Sequence, residues 1–190
     1  MYPIFIKEIS SFFNSLVAYL VITVFLTFIG LYLWVFPDTS ILNFGYADPG
    51  SLFTFGPIAF LLLIPAITMR TFAEERKEGT IELLLTWPVS DFEIILGKFL
   101  ASLCLVLFSL LPTLIYYFSI YQLGSPVGNI DSAAMFTSYT GLFLLGAVFT
   151  SIGIFSSAIT RNQIIAFIVA LVLCYFLYDG LDRIASINWW

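Results

Sequence analysis

Long uncharged stretches alternate with short charged ones along this 190-residue chain. An α-helix rises about 1.5 Å per residue, so about 20 residues cross the hydrocarbon core of a bilayer. The five uncharged stretches hold between 17 and 32 residues each, which is enough for one crossing apiece. The pattern predicts an all-α integral membrane protein with five transmembrane helices, at residues 16–36, 52–69, 99–121, 139–159 and 164–178.

The composition agrees with this class. Apolar residues make up 61% of the chain and charged residues 10%, whereas soluble domains carry about 25% charged residues. Histidine is absent, which excludes the usual zinc sites and Ser-His or Cys-His nucleophile pairs. The chain has no G-x-x-x-x-G-K-[ST] loop and is therefore not itself an ATPase. We expect no catalytic residue, metal, cofactor or nucleic-acid partner.

The basic residues predict the orientation. Cytoplasmic loops of membrane proteins carry an excess of Lys and Arg. The N-terminus, the segment after the second predicted helix and the turn before the fifth lie on one side of the membrane. They hold six of the seven basic residues, so we expect the N-terminus to be cytoplasmic; the six are Lys7, Arg70, Arg76, Lys77, Lys98 and Arg161.

Residues 1–15 mix charged and apolar side chains. Phe5, Ile9 and Phe12 recur at the spacing of one helical face, which is typical of an amphipathic helix. We expect an interfacial helix lying on the cytoplasmic leaflet. An early start of the first transmembrane helix is the alternative.

The predicted helix 139–159 differs from the others in its small residues. Gly146 pairs with Thr150, and Gly153 pairs with Ser157, at a separation of four positions. Small residues at this spacing let helix backbones approach closely in a membrane. We expect these four residues to be helix-packing positions.

Ten of the nineteen charged residues lie in the segment 70–98. A charge at the bilayer centre costs about 3 kcal/mol, so this segment must face water. Gly79 interrupts its first helical stretch and favours a break near Glu78. Ser90 and Glu93 form a capping-box pattern that starts a new helix at Asp91. Helix, break and capped helix together favour a rigid bracket over a plain solvated connector.

The run EERKEGTIELLLTWPVSDFEIILGKFLA resembles the signature of the type-2 ABC exporter permeases. The turn 160–163 and the arrangement of the helices resemble that family as well. Within it, the chain is most similar to the gliding-motility-associated permease subunits of the GldF type. The matching residues of the central run are Glu74, Glu75, Gly79, Thr80, Glu82, Leu83, Leu84, Pro88, Ser90, Gly97 and Lys98.

This resemblance implies a permease subunit in the bacterial inner membrane, in which 70–98 is a cytoplasmic coupling segment. That segment would dock on a separate cytoplasmic ABC ATPase, and the permease would pair with a second copy or a related permease within the membrane lipid. The family has six membrane helices, whereas five are predicted here, and the transported substrate stays open. The implied coupling residues are Glu74, Glu75, Arg76, Glu78, Gly79, Thr80, Glu82 and Leu84.

Two other classes of function are open to this sequence. A membrane anchor or scaffold would recruit a cytoplasmic partner without transport. An intramembrane enzyme is less compatible, because the run EERKEG resembles the motif of membrane CAAX-type proteases but has Gly79 where that motif needs arginine. A channel is also disfavoured, since no predicted transmembrane helix carries an ionisable residue to line an ion path.

Overall fold

Eight α-helices account for most of the residues that the computed structural model describes, which are 1–41, 50–82, 89–180 and 183. These residues form no β-strand. A 3₁₀ turn covers Leu111–Thr113, and a π-helical turn covers Phe176–Gly180. The helices are α1 (Tyr2–Phe13), α2 (Leu16–Trp34), α3 (Gly50–Thr68), α4 (Ala73–Glu78), α5 (Asp91–Leu110), α6 (Leu114–Leu123), α7 (Ser132–Ile159) and α8 (Gln163–Tyr175).

Five helical stretches among the described residues are long and apolar enough to cross a membrane. The second of them extends through α4, the third comprises α5 and α6, and the fifth includes the turn after α8. The protein is therefore an all-α integral membrane protein, which confirms the class predicted from the uncharged stretches. The five stretches are Leu16–Trp34, Gly50–Glu78, Asp91–Leu123, Ser132–Ile159 and Gln163–Gly180.

The helix α3 lies at the centre of the bundle, where it packs against α2, α7 and α8. The rings of Phe25 and Phe60 stack between α2 and α3, with their centroids 5.4 Å apart. The amphipathic helix α1 crosses α5 at Gly97, where a Cβ atom would lie 3.0 Å from Cγ2 of Ile4. Burial of one α1 face against α5 thus attaches the N-terminal helix to the third membrane helix.

The four predicted packing residues of α7, Gly146, Thr150, Gly153 and Ser157, lie on its buried face. A Cβ atom on Gly153 would lie 2.0 Å from Thr68 Oγ1, and one on Gly146 would lie 2.9 Å from Val106 Cγ1. The Thr150 hydroxyl donates to the Gly146 carbonyl at 2.7 Å, inside its own helix. The absence of side chains therefore permits the close approach of α7 to α3 and α5.

Three prolines in the membrane helices behave differently. Pro57 and Pro65 are buried inside α3, which continues through both. Pro112 instead lies in the 3₁₀ turn that interrupts the stretch predicted as one helix over 99–121. The Thr113 hydroxyl donates to the Leu110 carbonyl at 2.7 Å, and this bond stabilises the interruption.

The helix α7 begins at Ser132, seven residues before the predicted start at 139. Asp131 accounts for the difference. Its Oδ1 accepts hydrogen bonds from the N–H groups of Ala133 and Ala134, both at 3.0 Å. An aspartate at this position satisfies amides that otherwise lack a partner in the first helical turn.

The contact between α7 and α3 leaves no room for a methyl group on Gly153. We expect Gly153→Ala to lower the free energy of unfolding by about 1–3 kcal/mol, because Thr68 must move or the helices must separate. Equilibrium unfolding of the purified protein in detergent measures this loss. The control is Gly141→Ala on the same helix, where a Cβ atom meets nothing within 4 Å. Equal stability of the two variants would contradict the packing argument.

Candidate functional site

The segment 70–82, the helix α1 and the first turns of α5 meet at one end of the bundle, here called the charged end. It holds Lys7 and Glu8 of α1, the charged residues of 70–82, and Glu93 and Lys98 of α5. The connections at the opposite end join α2 to α3 and α6 to α7. Two sets of charged groups lie at the charged end. The buried set consists of Lys98 with Glu8 and Glu75, and the exposed set lies on α4 and the residues after it.

Lys98 is the centre of the buried set. Its side chain is 1% exposed, and its Nζ lies 2.8 Å from Glu8 Oε1 and 2.7 Å from the Thr71 carbonyl. A third contact reaches Glu75 Oε2 at 3.0 Å, and the ring of Phe72 lies 4.9 Å from the ammonium. The partners of Lys98 therefore come from α1, from the turn between α3 and α4, and from α4.

Glu75 continues the network outward. Its Oε1 accepts a hydrogen bond from Lys7 Nζ at 3.1 Å. Its Oε2 faces Lys98 without hydrogen-bond alignment, so that contact is an ion pair at 3.0 Å. Positive and negative groups thus alternate along Lys7, Glu75, Lys98 and Glu8. The Lys7–Glu75 ion pair is weak because the Lys7 side chain is 58% exposed. The Lys98 ammonium is desolvated and therefore requires both of its carboxylates.

Arg70 links the end of α3 to the start of α2. Its guanidinium makes a bidentate contact with Glu74, with Nε 3.0 Å from Oε2 and Nη2 3.3 Å from Oε1. Its Nη1 donates to Ser15 Oγ at 2.8 Å. Ser15 is the N-cap of α2, and its Oγ also accepts from the Val17 N–H at 3.2 Å. One planar guanidinium therefore fixes two helix ends relative to each other.

Ser157 of α7 holds the turn that leads into α4. Its Oγ accepts hydrogen bonds from the N–H groups of Phe72 and Ala73, both at 3.0 Å, and donates to the Met69 carbonyl at 3.0 Å. Phe72 is the N-cap of α4, and its own side chain makes no capping bond. A side chain from another membrane helix therefore supplies the cap.

The exposed set lies on α4 and the residues that follow it. The helix α4 ends at Glu78, and Gly79 has a left-handed backbone with φ of +72°, which confirms the predicted break. That conformation favours glycine and ends the helix. We call residues 76–82 the exposed turn. Its exposed members are Arg76, Lys77, Glu78, Gly79, Thr80 and Glu82.

The capping box predicted at the start of α5 is also confirmed. The Ser90 Oγ accepts from the Glu93 N–H at 3.4 Å, and Glu93 Oε2 accepts from the Ser90 N–H at 3.2 Å. The N-terminal amine of Met1 lies 3.4 Å from Glu93 Oε1. The capping box and the N-terminal amine together fix the first turn of α5.

The structure divides the coupling residues that the resemblance implied. Glu74 pairs with Arg70, and Glu75 pairs with the buried Lys98. The other described residues of that group, Arg76, Glu78, Gly79, Thr80 and Glu82, belong to the exposed turn. Leu84 lies outside the described residues. Among the described residues, no cluster of three or more His, Cys, Asp or Glu side chains could hold a metal ion.

Sequence reasoning missed the role of Glu8. The signal that could have found it is the face formed by Ile4, Glu8 and Phe12, which are four residues apart and are the buried positions of α1. A carboxylate on the apolar face of a helix needs a buried cation. The role of Ser157 as a cap for another helix carries no such signal.

A family model described as ABC-2 family transporter protein matches residues 37–187, which is most of the chain. The chain belongs to the ABC-2 transporter family. It is therefore a multi-pass membrane permease of an ABC transporter, and the family implies association with an ABC ATPase subunit. No curated protein matches the chain.

The buried set predicts a large effect of removing its cation. We expect Lys98→Ala to lower the free energy of unfolding by about 3–5 kcal/mol, because two carboxylates would remain without a buried partner. Denaturant unfolding in detergent micelles measures the loss. The control is Lys77→Ala on the exposed turn, which should stay within about 0.5 kcal/mol of the parent protein.

A triple variant separates charge from packing. Glu8→Gln and Glu75→Gln added to Lys98→Met remove all three charges while nearly preserving their volumes. Part of the lost stability should return, because no unpaired charge remains. If Lys98→Ala matches Lys77→Ala in stability, the network has no structural role.

Proposed function

We propose that this chain is the permease subunit of an ABC exporter in the bacterial inner membrane, and that its exposed turn is the docking surface for a cytoplasmic ATPase subunit. The observation that carries the proposal is the contrast between the two sets of charges at the charged end. The exposed turn presents charged side chains to water, while Lys98, Arg70 and Ser157 attach its base to α1, α2, α5 and α7. The excess of basic residues at this end supports a cytoplasmic orientation.

The base of the exposed turn has the connections that a mechanical coupling element needs. The helix α4 follows α3 after four residues, and Ser157 joins their connection to α7. Lys98 joins α4 and that connection to α1 and α5. A displacement of the exposed turn would therefore move several membrane helices together, whereas a loose loop would absorb it.

The charges of the exposed turn suit a protein partner with a complementary pattern. Arg76 and Lys77 are cationic, and Glu78 and Glu82 are anionic, so neither sign dominates the surface. Mixed charge favours one docking orientation over others more than it raises affinity. All four charges lie within seven residues, on either side of the left-handed Gly79.

The proposal extends to dimerisation and to the biological process. We infer that the permease works with a second copy or a related permease, because α2 and α8 leave wide apolar faces uncovered by the described bundle. The resemblance to GldF-type subunits extends the inference to gliding motility. The transported substrate stays open, since the membrane helices are uniformly apolar and aromatic.

The same exposed turn would also serve a scaffold that binds a partner without transport. A scaffold needs only the surface, whereas a transporter needs the surface and its rigid base. The two functions therefore predict different effects of mutations in the base.

Charge reversal tests the docking surface. We expect Glu78→Lys and Glu82→Lys to reduce the permease-dependent turnover of the co-purified ATPase by about tenfold, because like charges would face each other at the interface. Turnover is measured on the complex in nanodiscs, with membrane insertion checked in parallel. Asp38→Lys, an exposed change at the opposite end of the bundle, is the matched control. Wild-type binding and turnover in both turn variants would remove the docking role.

The cap from α7 distinguishes transporter from scaffold. Ser157→Ala leaves two buried N–H groups without their acceptor, a loss of about 1–3 kcal/mol that loosens the base from α7. We expect the ATPase to remain bound while its permease-dependent turnover falls about fivefold or more. The control is Ser151→Ala, whose exposed hydroxyl bonds only within α7, to the Ala147 carbonyl. Unchanged turnover with the ATPase bound would favour the scaffold.

A further inference from the structure

A cavity of about 430 Å³ opens between α7 and the interrupted third membrane helix, at the end of the bundle opposite the charged end. Its walls are apolar and include Leu110, Leu114, Met135 and Phe136. Hydroxyl groups enter its lining from Tyr117 and Ser132. Sites for small molecules hold about 300–1,000 Å³ and combine apolar walls with a few polar groups, as this cavity does.

The cavity borders the break at Pro112, and α7 helps to hold that break in place. Leu110 and Leu114 lie on either side of the 3₁₀ turn, and both line the cavity. The hydroxyl of Tyr139, another lining residue, donates to the Thr113 carbonyl at 3.1 Å. The hydrogen bond from Tyr139 therefore holds α7 against the break beside the cavity.

The stretch of chain that lines the cavity is shorter than one leaflet of a bilayer is thick. From Leu110 to Tyr117 the chain rises about 10 Å, and half of the hydrocarbon core measures about 15 Å. The rim is continuous with the membrane-facing surface, since Phe136 is 76% exposed. An acyl chain in the leaflet at that end would reach this cavity directly from the bilayer.

Polar groups lie at one edge of the cavity, where Ser132 contributes to its lining. The hydroxyl oxygens of Tyr117 and Ser132 lie 3.0 Å apart, and Asp131 precedes Ser132 in the chain. Asp131 uses Oδ1 to cap α7, while Oδ2 makes no hydrogen bond among the described residues. Asp131 is also the one charged residue between Lys98 and Arg161 in the sequence. The exposed carboxylate beside Ser132 attracts a cationic headgroup and repels an anionic one.

We propose that the cavity binds an acyl chain of a phospholipid whose headgroup carries an amine, of the phosphatidylethanolamine class. The chain lies against the leucines and Phe136, the headgroup oxygens meet the hydroxyls, and the ammonium group faces Asp131. This inference goes beyond the proposed function, because lipid binding at this site needs no ATPase and no substrate.

Native mass spectrometry of the full chain released from nanodiscs tests the site. The nanodiscs contain equal amounts of phosphatidylethanolamine and phosphatidylglycerol, and the retained lipids are counted. We expect phosphatidylethanolamine to exceed phosphatidylglycerol by about two- to fivefold, the range of a partly exposed ion pair. Asp131→Asn should bring the ratio close to one while α7 keeps its cap, because asparagine caps helices as well as aspartate.

A second variant tests the apolar walls. Leu114→Trp fills the cavity and should lower the retained phosphatidylethanolamine about tenfold, since each buried methylene contributes roughly fourfold to transfer from water. Ile115→Trp, the next residue and outside the lining, is the matched control and should retain the lipid.

Three results would overturn the proposal. One is equal lipid retention by Leu114→Trp and Ile115→Trp. Another is equal retention of the two lipids by the parent protein. The third is a change of oligomeric mass in Leu114→Trp, which would identify a second copy of the chain as the occupant.

Discussion

The burial of the Lys98 ammonium is the constraint on which the charged end depends. A buried charge is tolerated only when carboxylates and hydrogen bonds replace its water, and here they come from three separate parts of the chain. Glu8 brings α1 against α5, Glu75 orients α4, and the Thr71 carbonyl fixes the turn between α3 and α4. The position of the exposed turn follows from satisfying this one cation, because α4 leads directly into it.

A second constraint comes from the apolar surroundings of the bundle. Buried N–H groups must find acceptors within the protein, and the first amides of α4 find theirs in Ser157 of α7. Gly153, one turn earlier on α7, lets the two backbones come close enough for this bond. Close packing and capping are thus parts of one arrangement, since a larger residue at Gly153 would separate the helices that the Ser157 hydroxyl joins.

Much of the fold could be predicted from the sequence, because each feature rested on a local signal. Uncharged length predicts the membrane helices, Gly79 predicts the break, and Ser90 with Glu93 predicts the start of α5. The remaining features depend on neighbours in space. Pro65 stays within a continuous helix whereas Pro112 interrupts one, and no local pattern separates the two. The buried role of Glu8 likewise required knowledge of its partner on α5.

The charged segment shows why one resemblance can cover two physical roles. Glu74 and Glu78 are four residues apart in the single helix α4, yet Glu74 pairs with Arg70 beside the bundle while Glu78 is exposed. The left-handed Gly79 ends α4 immediately after Glu78, so the helix is too short to bury a second turn. Residues before Arg76 therefore stabilise the base, and residues from Arg76 onward remain available to a partner. A signature that combines both sets links the stability of the base to the chemistry of the exposed surface, which is what the proposed coupling to an ATPase requires.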